Sequence, residues 1–224
     1  MVNTDVPLYG FSHTHLSGTG ATDLGDILVL PYADMANTQL NSFDKANEEA
    51  SAGYYKTKLN NLFTADPNGG EAHQDMTGYI GQYIHGNEPS HHIIYLYNRA
   101  EESYKAQEYL DQVYDQFYKP TSDGIIGNED VGQMSAWYLM SALGFYQISP
   151  TDPAYSIGRP IFDKATVDIG SGTFTVTAEN NADDNMYIKS VTINGKALDN
   201  GFFFDHPEFK PGGELHFVMT GEQS

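Results

Sequence analysis

The chain has 224 residues, of which 30 are Asp or Glu and 11 are Lys or Arg, so its formal charge is 11 − 30 = −19 at neutral pH. That balance argues against nucleic-acid and anionic-membrane partners, because sequence-independent binding to phosphates needs clustered Lys and Arg. Hydrophobic residues at 40% suffice for a core in one or two domains, and the absence of cysteine excludes disulfides, thiolate zinc and cysteine nucleophiles.

The first five residues lack the basic segment and apolar core of a signal peptide, and no run of about 18 apolar residues is present to span a membrane. Residues 1–59 are rich in turn formers, and Ile27-Leu28-Val29-Leu30 ahead of Pro31 reads as a buried strand stopped by proline. This region is expected to be β-structure with long loops. Pro67-Asn68-Gly69-Gly70 marks a loop.

Helical periodicity follows over residues 60–150. Met76, Ile80, Tyr83 and Ile84 fall on one helical face, and Ala106, Leu110, Val113 and Phe117 recur at spacings of 4, 3 and 4 ahead of Pro120. Met134, Trp137, Leu139, Ala142 and Leu143 predict another helix, which Gly144 can end. From about residue 165 the pattern alternates, as in Thr173-Phe174-Thr175-Val176-Thr177 and residues 186–193. Asn194-Gly195 is a strong hairpin signal, and residues 214–219 suit a further strand, so residues 165–224 are expected to form a small antiparallel sheet.

Four segments carry more polar and titratable groups than a plain core needs. Ser12-His13-Thr14-His15 leads into a glycine-hydroxyl loop that lacks the ending of a phosphate-binding P-loop, and two histidines alone do not make a metal site. His85-Gly86-Asn87-Glu88-Pro89-Ser90-His91-His92 gathers a carboxylate, an amide and three imidazoles. Such a set can bind a hard cation, hold a sugar or move protons, although Asn87 or Ser90 could instead cap the next helix.

The third segment, Gly127-Asn128-Glu129-Asp130, precedes the Trp137 helix. Its acids suit the positive end of a helix dipole, or could activate water. Asp130 follows Glu88 by 42 residues, so both loops could share one rim. A pair of carboxyl groups across a sugar-sized cleft is what glycoside hydrolysis needs. The tyrosines at 95, 97, 104, 109, 114 and 118 are expected as core or groove walls.

With these segments in hand, the chain resembles the family 92 glycoside hydrolases, calcium-dependent inverting exo-α-mannosidases. The matching residues are those from Gly10 to Gly20, Ile80-Gly81-Gln82-Tyr83 with the 85–92 segment, Gly127-Asn128-Glu129-Asp130 and Gly132-Gln133-Met134-Ser135-Ala136-Trp137-Tyr138. The resemblance implies mixed α and β architecture: a partial N-terminal β-sandwich over residues 1–59, part of an (α/α)6 barrel over 60–164, and C-terminal antiparallel strands over 165–224. It implies Asp130 as the general base, with His13, His15, His85, Glu88 and His91 binding substrate. Asn87 and Glu88 become the calcium candidates, being hard oxygen donors. Mannose-containing glycans are the implied partners and a secreted or periplasmic location the implied setting.

Family members are several hundred residues longer. Here a sandwich-like segment runs near residues 56–60 into one resembling a stretch deep in the barrel, which implies a large internal deletion. The Glu-x-Asn-Ala-Trp-Gln-Tyr motif that supplies the family's general acid is absent. A half-barrel would leave apolar helix faces for a partner to cover. Two other readings therefore stand beside a mannosidase: a non-catalytic mannose-binding remnant, and an incomplete gene model.

Overall fold

The computed structural model describes residues 45–67, 76–149, 151–198 and 202–223, with side chains from residue 52 onward. The expected strand at 27–30, His13, His15 and most of the expected sandwich lie outside the described residues. The chain divides into two compact units: residues 1–73 with 79–83, and residues 74–78 with 84–224.

In the first unit, helix α1 runs over Lys45–Thr64. Residues 45–59 are thus helical where β-structure and loops were expected, and both the expected boundary at 59 and the 56–60 junction fall inside one continuous helix. Lys45-Ala46-Asn47-Glu48-Glu49-Ala50 is rich in helix formers, which explains the local preference. Leu59, Leu62 and Phe63 are buried, and Phe63 stacks on Tyr83 with ring centroids 4.9 Å apart.

Strands β1 (Tyr79–Ile80) and β2 (Tyr83–Ile84) pair as a short hairpin, not as the helix that Met76, Ile80, Tyr83 and Ile84 suggested. Gly78 and Gly81 take φ of 73° and 58°, left-handed values that interrupt a right-handed helix. At Gly81 a Cβ would also lie 2.4 Å from the Phe63 carbonyl carbon, so only glycine fits the turn.

The second unit holds three further helices before its sheets: α2 (Leu96–Arg99), α3 (Ser103–Phe117) and α4 (Gln133–Ala142). The stripe predicted for α3 is buried in full: Ala106, Leu110, Val113 and Phe117. On α4, Met134, Trp137 and Ala142 are buried but Leu139 is exposed, because 137 and 139 lie about 200° apart on a helix. Gly144 follows with φ 91° and ends the helix as expected.

Strands β3 (Phe145–Gln147), β4 (Ala154–Ile157) and β9 (Phe203–Asp205) form an antiparallel sheet. A second sheet has the order β5 (Lys164–Asp168), β6 (Thr173–Glu179), β10 (Gly213–Thr220), β7 (Tyr187–Ile193) and β8 (Lys196–Ala197). Asn194 and Gly195 turn the β7–β8 hairpin with φ of 51° and 76°, as their pairing predicted. The C-terminal region is not wholly antiparallel, however: β10 pairs with β6 in parallel register, Leu215 opposite Val176. Alternation reports which face is buried and is silent on strand direction.

The core of this unit joins Phe145 and Tyr155 to Phe174, Val176, Leu215 and Phe217. The expected boundary at 164 thus falls inside the unit. Gln107 and Glu108 of α3 bond the Ile188 amide and the Tyr187 hydroxyl of β7 at 2.9 and 2.7 Å. No helix among the described residues is long and apolar enough to cross a membrane.

Candidate functional site

The two loops that carry Glu88 and Asp130 both belong to the second unit and start from glycines. The Gly86 amide bonds the Thr77 carbonyl at 3.0 Å and the His85 amide bonds the Gly78 carbonyl at 2.8 Å. These bonds fix where the first loop begins. A 3-10 turn over Glu88–Ser90 follows, with Pro89 in its first positions. Asn87 stands at the cap position but makes no capping bond, so its amide is not spent on the helix end. Glu88 is exposed, and its carboxylate has no bonded partner among the described residues.

Beneath this loop the histidines are buried, His85 0% and His91 1% exposed. The bonds of His91 settle its protonation. The His91 Nε2–H donates to the His85 carbonyl at 3.0 Å, since a carbonyl can only accept. Nδ1 of His91 is therefore the acceptor for the Gln133 side-chain amide at 3.2 Å. Gln133 gives its other N–H to the Tyr146 hydroxyl at 3.3 Å. Tyr118 donates to the Met134 carbonyl at 3.1 Å, which leaves its oxygen to accept from His85 Nε2 at 2.8 Å.

The His91 ring is thus neutral. Burial holds His85 well below the usual imidazole range, helped by His91. It lowers His91 to about 4, against upward pulls from the His85 carbonyl and from the charge of Asp130. Burial likewise lowers His92 to about 4. Aromatic rings pack the floor. Trp137 lies edge-on to His85 at 4.4 Å, its Nε1–H bonded to the His91 carbonyl at 3.0 Å, and Tyr118 stacks on Tyr138 at 4.5 Å.

The second loop ends at the start of α4, and its adjacent acids part company. Glu129 Oε1 accepts the Ser135 amide at 3.0 Å and so satisfies one of the free donors of the helix N-terminus. The Asp130 side chain does not share that work, although its backbone carbonyl accepts the Gln133 amide at 3.2 Å. Asp130 is exposed, takes φ 51°, and its carboxylate makes no hydrogen bond or ion pair among the described residues. Val131 and Gly132 continue with φ of 58° and 94°, giving three successive left-handed residues. Such backbone is costly for a β-branched residue and collects at functional sites. Val131 is fully exposed at the tip.

The structure therefore brings His85, His91 and Asp130 into one neighbourhood, with His85 and His91 as a buried floor. His13 and His15 lie outside the described residues. Sequence reasoning did not name Gln133, Tyr118 or Tyr146 as site residues, although each lay within a matching motif and Tyr118 was expected as a core or groove wall.

Calcium takes six to eight oxygen ligands. Asn87 and Glu88 offer oxygens of the right kind, but no group of three His, Asp or Glu among the described residues converges to hold a metal. They fall short of a full calcium shell by number, not by chemistry.

With that geometry in place, comparison with known proteins identifies the class as glycosyl hydrolase. The model for the catalytic domain of glycosyl hydrolase family 92 matches residues 50–221 and that for the N-terminal domain of the family matches residues 2–96. The chain belongs to glycosyl hydrolase family 92.

A family 92 α-mannosidase of Bacteroides thetaiotaomicron, BT3965, solved in complex with mannoimidazole, is 37% identical with a TM-score of 0.70, over 76% of this chain and 22% of its own. The inverting mannosidase BT2199 of the same organism is 36% identical with a TM-score of 0.63, over 76% of this chain and 24% of its own. An uncharacterized secreted glycosidase of Arthroderma benhamiae is 28% identical over 143 residues, 62% of this chain and 18% of that protein. The chain thus spans about a fifth to a quarter of the length of these relatives.

Proposed function

We propose that this chain forms the base-bearing part of an exo-α-mannosidase site that hydrolyses terminal α-mannosidic linkages of N-glycans or mannans with inversion. The observation that carries the reading is the free Asp130 carboxylate beside a Glu129 already engaged by α4. A general base has to be ionised, reachable by water and uncommitted to a neighbour. Of the two exposed acids, Asp130 alone has a carboxylate uncommitted to a neighbour among the described residues. Its relatives supply the substrate class, since two are named mannosidases and one of them inverting.

In such a reaction the Asp130 carboxylate takes a proton from water as the water oxygen bonds to the anomeric carbon. The glycosidic bond breaks, and the leaving oxygen receives a proton from an acid on the opposite side. Gln133, His91 and His85 hold the ground beneath, while Glu88 with His13 and His15 contributes to the sugar wall. Asn87 and Glu88 are the residues that would hold calcium, which supplies fixed positive charge for sugar hydroxyls; the remaining oxygens would come from outside the described residues. The expected β-sandwich and (α/α)6 barrel belong to the same proposal, with a partner or further chain covering Leu139, and so does a secreted setting, after the Arthroderma relative.

A second reading, mannose binding without hydrolysis, is favoured by one observation: the acid-supplying motif is absent from the sequence. An activated aryl α-mannoside, whose leaving group scarcely needs an acid, separates the two when assayed beside a natural mannobiose. Hydrolysis of the aryl substrate that disappears in Asp130→Asn supports the first reading. Calcium-dependent binding of mannose by calorimetry without turnover supports the second, and activity that survives Asp130→Asn defeats the assignment of the base.

A further inference from the structure

We propose that Thr77 is the pin that sets the spacing between the two acid-bearing loops, a positioning residue for the site; its catalytic consequence rests on the reading above. One atom, Thr77 Oγ1, lies against the backbone where both loops begin. A Cβ built on Gly86 would come within 2.2 Å of it, and one built on Gly127 within 2.5 Å. Glu88 follows Gly86 by two residues and Asp130 follows Gly127 by three. The separation of the carboxylates is therefore referred to a single side chain.

The two glycines have different reasons to be glycine. Gly127 has φ 66°, so its backbone alone favours the residue. Gly86 has no such conformation, and what excludes a side chain there is Thr77, through Oγ1 and its carbonyl at 2.9 Å. A neighbouring clasp repeats the arrangement: a Cβ on Gly78 would meet Ile126 Cδ1 at 2.1 Å. Close approach of two loop backbones to one β-branched residue leaves little freedom for either loop.

Thr77 Oγ1 is buried and has no hydrogen-bond partner among the described residues. Burying a hydroxyl without a bond is unfavourable, so the contact acts through shape. Valine at 77 keeps that shape and alanine removes it. A pin through which both loops are registered has to disturb both when it is removed, including the loop from which it is 50 residues distant in sequence.

The test compares Thr77→Ala and Thr77→Val with the unaltered chain by amide NMR shifts and hydrogen exchange, with aryl α-mannoside kinetics alongside. Thr77→Ala is expected to move amide signals at both 86–88 and 127–132, to speed exchange in both loops about tenfold or more, and to lower kcat more than it raises KM. Thr77→Val is expected to restore all three. Shifts confined to 86–88, or a valine variant as disturbed as the alanine one, would overturn the pin. Should Thr77→Ala fail to fold, Thr77→Val decides alone: undisturbed loops support the pin and displaced loops overturn it. If the unaltered chain does not hydrolyse the substrate, the proposed hydrolysis fails, while the NMR measurements still decide the role of Thr77.

Discussion

The His91 ring donates its Nε2–H to the carbonyl of His85 at 3.0 Å, and that bond fixes His91 as a neutral ring whose Nδ1 receives Gln133. A pH dependence follows. Burial holds folded His91 at about 4, whereas an unfolded histidine takes a proton near 6.5. The unfolded chain binds more protons between these values. The stabilisation is therefore complete above about pH 6.5 and is lost as pH falls toward 4, by roughly 3 kcal/mol for this ring. Melting temperatures across that range should fall steeply on the acid side, and less so for His91→Gln. Equal stability at pH 5 and 7.5 would contradict the neutral floor.

Trp137 is the only tryptophan of the chain and is fully buried, its Nε1–H bonded to the His91 carbonyl at 3.0 Å. Trp137→Phe leaves that carbonyl without its donor and opens space beside His85. A loss of about 2–4 kcal/mol is expected from the two effects together. Urea unfolding followed by circular dichroism measures it, and a change below about 1 kcal/mol would show the indole to be dispensable to the floor.

Asp130→Asn is expected to separate stability from chemistry. The carboxylate bonds nothing among the described residues, so unfolding free energy should stay within about 0.5 kcal/mol. Hydrolysis of an aryl α-mannoside should fall by roughly 10²–10⁴-fold. Glu129→Gln at the neighbouring position should do the reverse, weakening a helix cap by about 0.5–1 kcal/mol.

Val131 takes φ 58° with its side chain fully exposed, so it carries backbone strain without compensating burial. Val131→Gly removes a left-handed cost of roughly 1–2 kcal/mol and adds unfolded-state entropy of about 0.5–1 kcal/mol. A net gain of about 0.5–1 kcal/mol is expected in denaturant unfolding. Destabilisation by this variant would mean that the valine has a packing partner.

Much of the second unit was legible because its signals are local. The α3 stripe of Ala106, Leu110, Val113 and Phe117 and the Asn194-Gly195 turn depend on side-chain period and on φ preference, which neighbouring residues determine. Met76, Ile80, Tyr83 and Ile84 misled because their spacing also fits a helix. Gly78 and Gly81 were the better signal, since glycine turns the chain where packing leaves no room for a Cβ.

By itself the sequence determined which residue types could do chemistry here: the acids at 88, 129 and 130, the histidines at 85 and 91, and the motifs that carry family membership. The resemblance pointed to Asp130, but nothing local in the sequence distinguished the bonding of Glu129 from that of Asp130, adjacent acids ahead of the same helix. Only the tertiary structure did so, because hydrogen bonds are set by position in space: one carboxylate reaches the Ser135 amide, while the other sits on a left-handed turn with nothing to bond. The same holds for the parallel pairing of β6 with β10 and for the meeting of two loops on Thr77. Contacts between residues far apart in sequence leave no periodicity along the chain from which to read them.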